Sequence, residues 1–239
     1  MILALVALLA FPLRAAEPAA LLFIGDSHST QEFGRTLDAD LRAQNGKVAT
    51  FAVCAARPQS FISELEHGCG FMFKDFDGRA PGKWNRTRPG KITVDGKERE
   101  VTYVKTPKLA GLLADYRPQG VIVALGSNGL SAESVRETLA LIHGAGAACF
   151  WIGPPRMRTV KESTLDGYYA LLSAARVSPD ASPLGDSCRL ILDSRSLDYL
   201  VYPPQGGDGI HYASPELSPL GRRWGHDAAK AFGAALKSR

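Results

Sequence analysis

Four side chains in this sequence have the types from which a nucleophilic acyl-transfer site is built. They are Ser27 in FIGDSHST, Asn128 in ALGSNG, and Asp208 and His211 in GGDGIHY. A serine hydroxyl is a poor nucleophile until a base takes its proton, and His211 is the candidate base. The imidazole must be held in one tautomer, and Asp208, three residues earlier, reaches its other nitrogen across a turn. The oxyanion formed on attack needs donors, which the Asn128 amide and backbone N–H groups can supply. The N–H of Ser27 falls at a helix start, where unpaired donors and the helix dipole favour negative charge. Each feature alone has a plainer reading: Gly-Asp-Ser as a turn and cap, Gly-Ser-Asn-Gly as a strand-to-helix turn, a single histidine as structural. Their order and placement together argue for a site. His28, beside Ser27, is read as substrate-pocket lining or as helix surface. Asp26, His28, Asp208 and His211 could gather round a metal, but no ligand-spaced pair such as HExxH supports this, and no metal or cofactor is expected. His67, His143 and His226 are read as structural.

These residues sit at the ends of elements that the hydrophobic pattern marks out. Apolar runs at Leu21 to Ile24, Val48 to Val53, Val121 to Gly126, Cys149 to Ile152 and Arg189 to Leu192 read as buried strands. Between them lie helical patterns: Phe33, Leu37 and Leu41 up to Asn45-Gly46; Leu109 to Tyr116; Val135, Leu139 and Ile142 behind a Ser131 cap; and Thr164 to Ala175. A last helix places Trp224, Ala228, Phe232 and Leu236 on one face. Alternating strands and helices imply a parallel sheet covered on both faces. With five strands in the order 2-1-3-4-5, strands one and three are neighbours, so Ser27 and Asn128 face each other at the switch point where such sheets bind ligands. From about Cys54 to Thr106 the rhythm breaks into a polar insertion after strand two. Within it KITVDGKEREVTYV reads as a hairpin around Asp95-Gly96. Trp84 and Tyr103 there are packing aromatics or sugar-stacking platforms, packing being favoured.

Gly25-Asp26-Ser27-His28-Ser29, then Gly126-Ser127-Asn128, then Asp208-Gly209-Ile210-His211 resemble blocks I, III and V of the SGNH (GDSL-type) hydrolases. The similarity runs over nearly the whole mature chain, and Ser218-Pro219-Leu220-Gly221 is similar to the family's sequence after its catalytic histidine. The resemblance implies a flavodoxin-like three-layer α/β sandwich and esterase chemistry. It makes Ser27 the nucleophile, His211 the base, Asp208 its orienter and Asn128 an oxyanion donor. One block departs. The family has a glycine after strand two whose N–H completes the oxyanion hole, and here Ala55, in Cys54-Ala55-Ala56, stands in its place.

Composition bounds the remainder. At 239 residues, 45% hydrophobic and 22% charged, the chain suits one large α/β domain over residues 17–239. A net charge of +4 with interleaved signs gives no reason to expect a nucleic-acid partner. The basic run Lys83 to Lys91 is read as a solvated loop in preference to a patch for an anionic polymer. Ile2 to Phe11 is too short to span a bilayer, which needs ~20 apolar residues, and with the alanines behind it reads as a signal peptide over residues 1–16. Its defect is the absence of a positive charge before Arg14. Export to the periplasm or beyond is the expectation, with no stable membrane span. Four cysteines suit that compartment: Cys54 and Cys69 would close a loop of about 15 residues, and Cys149 and Cys188 either pair or remain buried thiols.

The sequence therefore predicts an exported serine esterase acting through an acyl-enzyme on small acyl esters, acetyl esters of carbohydrate being favoured by the polar insertion. The alternatives are acyl transfer to a glycan hydroxyl with the same residues, and a glycan-binding protein that has lost turnover.

Overall fold

The computed structural model describes residues 19–94, 96–200 and 207–237. The expected signal peptide lies outside them. Its central sheet is built from β1 (Leu21–Gly25), β2 (Val48–Val53), β4 (Phe71–Lys74), β7 (Gly120–Ala124), β8 (Ala148–Ile152), β9 (Val177–Ser178) and β10 (Cys188–Leu192). A second sheet joins β3 (Glu66–His67) to β6 (Lys97–Lys105) and β5 (Thr87–Val94). The helices are α1 (Glu32–Asn45), α2 (Pro58–Ser63), α3 (Leu109–Tyr116), α4 (Ala132–Gly144), α5 (Glu162–Ala174) and α6 (Ser218–Lys237).

The strands read as continuous apolar runs because both faces of the sheet are covered. Alternate side chains go opposite ways. Leu21, Phe23, Ile122 and Phe150 pack with Phe33, Leu37 and Leu41 of α1 and Trp224, Ala228 and Phe232 of α6. Leu22, Ile24, Val121, Val123 and Trp151 pack with α3, α4 and α5 through Leu112, Leu139, Ile142 and Leu172. All these side chains are almost fully buried. On the first face Phe33 stacks on Trp224 with ring centroids 3.7 Å apart.

The sheet has seven strands in the order β4-β2-β1-β7-β8-β10-β9, so the expected count of five and the order for the whole sheet are corrected. The five parallel strands expected from the sequence lie inside it as β2-β1-β7-β8-β10, flanked by β4 and β9. β9 is two residues long, too short to carry a period. β4 lies within the insertion. The Cys54–Cys69 disulfide and a bond from the Cys54 N–H to the Gly70 carbonyl (2.9 Å) turn the chain back, and Phe71 to Lys74 pair antiparallel with β2. The insertion is thus partly woven into the main sheet. Its hairpin pairs Val94 with Lys97, which puts the turn at positions 95–96; Gly96 has a φ of 73°, and Asp95 lies outside the described residues. Trp84 is buried against Phe51, and Arg88 covers Tyr103, so both aromatics pack. Cys149 and Cys188 form the second disulfide, across the neighbouring strands β8 and β10. Among the described residues no helix is long and apolar enough to cross a membrane.

Candidate active site

Ser27 opens the turn that follows β1. That turn is tight: the Ser29 N–H donates to the Asp26 carbonyl (3.0 Å), and the Thr30 hydroxyl donates to the Ser27 carbonyl (2.8 Å). Two glycines make it possible. A Cβ at Gly25 would sit 2.1 Å from the Ser29 hydroxyl, and one on Gly34 of α1 would sit 1.9 Å from the Ser29 carbonyl oxygen. The turn is therefore clasped between the strand it leaves and the helix it enters. Ser27 is 3% exposed, and its hydroxyl and its N–H have no hydrogen-bond partner among the described residues.

Asp26 is the part of the turn that sequence reasoning missed as an organiser. Its carboxylate is buried and accepts the N–H of His28 (3.1 Å) and the N–H of Ser127 (3.3 Å). It thereby ties the turn after β1 to the loop after β7. Burial pushes its pKa up to about 6, against those donors and the attraction of His211. The available signal was an aspartate at the mouth of a buried strand, facing free N–H groups in an Asx-type turn.

His28 is buried, which removes its helix-surface reading. Its ring lies 5.3 Å from that of His211 and edge-on to Trp224 at 5.4 Å, and its Nε2 is buried without a partner. Burial first, then the neighbouring His211 charge, push its pKa down to about 3, so it stands neutral under ordinary conditions. A cavity of about 10 Å³ adjoins Asp26, His28 and Ser127, with space for about one water.

Asp208 and His211 arrive on the loop before α6. Asp208 Oδ1 accepts the N–H groups of Ile210 and His211, each at 2.8 Å. Its Oδ2 meets His211 Nδ1 at 2.5 Å. Burial alone would raise the Asp208 pKa; the His211 backbone N–H, its imidazole and the Ile210 N–H outweigh it and hold the carboxyl down at about 2. An ionised Asp208 accepts a hydrogen bond from Nδ1–H of the ring, which leaves Nε2 as the nitrogen that can act as a base. That Nε2 is buried and unpartnered, so no hydrogen bond joins it to Ser27. The loop is held by Thr159 N–H to the Gly209 carbonyl (3.4 Å) and the Tyr212 hydroxyl to the Arg156 carbonyl (2.8 Å).

Asn128, exposed, donates its side-chain amide to the Ala56 carbonyl at 3.1 Å, bridging the loops after β7 and β2. Ala55 has a φ of 61°, the left-handed conformation that favours glycine. The residue is exposed, its N–H has no partner among the described residues, and the adjacent Cys54–Cys69 disulfide pins the loop. The structure therefore brings Ser27, Asn128 and Ala55 to adjacent loops at the carboxyl end of β1, β7 and β2, with His211 beside His28. Among the described residues no group of three or more His, Cys, Asp or Glu could hold a metal ion. The remaining histidines have structural partners: Ser60 for His67, the Ser187 carbonyl for His143 and Asp40 for His226. A cavity of about 640 Å³ lies elsewhere, between α4 and the end of α5, around Arg136 and His143.

Comparison with known proteins finds no family model that matches the chain and no curated protein that matches it.

Proposed function

We propose that the protein is an exported serine esterase of the SGNH type on a flavodoxin-like sandwich, hydrolysing small acyl esters, acetyl esters of carbohydrate in particular. One observation carries the reading: Asp208 holds His211 by Nδ1, while the opposite ring nitrogen is buried and vacant beside the turn that presents an unpaired Ser27 hydroxyl. A buried acceptor without a donor is costly, and a serine hydroxyl is the donor it lacks. In the reaction His211 Nε2 takes the Ser27 proton as Oγ attacks the ester carbonyl. The oxyanion is met by the N–H groups of Ser27 and Ala55 and the second amide proton of Asn128. The proton on Nε2 then passes to the departing alcohol, leaving an acyl-Ser27. Water, deprotonated by the same nitrogen, releases the acid and regenerates the serine. The two disulfides fit an oxidising compartment.

The test is hydrolysis of p-nitrophenyl acetate by wild type and by Ser27→Ala. Turnover lost with Ser27 supports the reading, and no turnover in either overturns it. Acetyl appearing on an added oligosaccharide in place of free acetate would redirect it to acyl transfer.

A further inference from the structure

A groove of about 310 Å³ opens beside the Asn128–Ala56 bridge. It is lined by Arg57 and Gln59 from the loop and helix after β2, and by Gly129, Leu130, Ser131 and Ser134 from the loop after β7 and the start of α4. Two of its walls lie close in the chain to the proposed oxyanion donors: Arg57 is two residues after Ala55, and Gly129 follows Asn128.

The groove's charge is one-sided. The insertion is rich in cations, yet those near its base are neutralised. Glu64 serves Arg86 and Lys105, Glu66 serves Arg88 at 2.5 Å, Glu98 serves Lys91 at 2.9 Å, and Asp115 serves Lys83 at 2.6 Å. Arg57 is exposed and has no carboxylate partner among the described residues. Its charge is felt by half-buried His67, whose pKa is pushed down by burial and then by Arg57. No acidic side chain lines the groove. Gln59 uses its amide nitrogen on Ser63 at 2.6 Å. Ser131 accepts the Ser134 N–H at 3.1 Å, so the serines are committed to capping α4 and set the wall without competing for Arg57. An unpaired guanidinium facing a polar groove is the arrangement that captures a carboxylate by two parallel hydrogen bonds.

We propose that this groove is a subsite for a carboxylate carried by the substrate, with Arg57 as its recognition residue. The carboxylate belongs either to an acidic sugar next to the esterified one or to a dicarboxylic acyl group. The link to catalysis rests on the esterase reading; binding does not.

The experiment is calorimetric titration of the Ser27→Ala chain, which cannot turn over, with and without Arg57→Gln. The probes are trigalacturonate, neutral xylotriose and monomethyl succinate. The expected result is that at least one acidic probe binds Ser27→Ala and loses about tenfold in affinity with Arg57→Gln. Arg57→Lys should recover part of it, and xylotriose should bind the two chains alike. Trigalacturonate responding locates the carboxylate on the sugar, and monomethyl succinate locates it on the acyl group. No binding of either acidic probe, or binding indifferent to Arg57→Gln, overturns the proposal. Failure of wild type to hydrolyse any ester would overturn the esterase reading alone, because the titration does not depend on turnover. Arg57 is exposed, and matched melting temperatures would confirm that both chains are folded.

Discussion

The turn after β1 and the loop before α6 carry the two halves of the proposed reaction, and they are built in opposite ways. The turn from Asp26 to Thr30 is almost wholly buried, locked by a carboxylate that grips two loops and by glycines that leave no space around Ser29. The loop around Asp208 is partly exposed, with that side chain 51% accessible, and is held by hydrogen bonds within itself and to the segment of Arg156 and Thr159. Each half is internally complete: the serine is presented, and the imidazole is oriented. Between them a bond is missing, since His211 Nε2 has no partner. The position of Ser27 is thus a property of the core, whereas that of His211 is a property of a surface loop. Catalytic hydrogen bonds are commonly long before substrate arrives and tighten in the complex.

Ser27→Ala and His211→Ala should each lower ester turnover by about a thousandfold or more while leaving the melting temperature near that of wild type. Asp208→Asn should cost on the order of a hundred- to ten-thousandfold in kcat, because the ring is no longer held in the productive tautomer. Its effect on KM should be small. Large losses in thermal stability from these changes would place the residues in the core's framework.

The two halves also differ in how pH acts on them. Asp26 has a folded pKa of about 6 against 3.8 in the open chain. A raised pKa means that the folded state favours the protonated form. Its contribution to stability is complete below pH 4 and is lost as pH rises through 6, a difference of about 3 kcal/mol. Asp26→Asn should therefore gain relative to wild type as pH rises from 4 to 7 in chemical denaturation. Asp208, held at about 2, has the opposite sign: its contribution is present above 3.8 and is lost as pH falls towards 2. A flat difference between Asp26→Asn and wild type across that range would contradict the buried-carboxylate account.

Replacing Cys54 and Cys69 together should destabilise the chain by about 3 kcal/mol, measured by urea unfolding. It should also raise KM or lower kcat by releasing the left-handed Ala55 beside the bridge. The smallest effect expected is that of Ser131→Ala, which removes the cap of α4 at a cost of about 1 kcal/mol, with activity on small esters unchanged.

What could be read from the sequence follows the same division. The parallel strands, the Ser131 cap, the hairpin at 95–96 and the placement of Ser27, Asn128, Asp208 and His211 at strand ends and before α6 were legible. They depend on local pattern and on a topology with few solutions. β4 was not, because its four residues lie among glycines and charges, and a disulfide and the edge of β2 bring them into the sheet. Asp26 and Arg57 escaped for a related reason. The role of the first comes from a loop a hundred residues away in sequence, and that of the second from the absence of a partner that its neighbours have. His28 was placed beside the site, but its burial against Trp224 depends on α6, far along the chain. Ala55 was marked by its position, and only the backbone shows the glycine-like angle it adopts.

In the proposed reaction Ser27 is a nucleophile activated by His211. Incubation with a fluorophosphonate, followed by intact-mass measurement and peptide mapping, tests it most directly. The expected result is a single adduct on Ser27, formed far more slowly in His211→Ala and absent in Ser27→Ala. An unlabelled wild-type chain, or an adduct on a different serine, would contradict it.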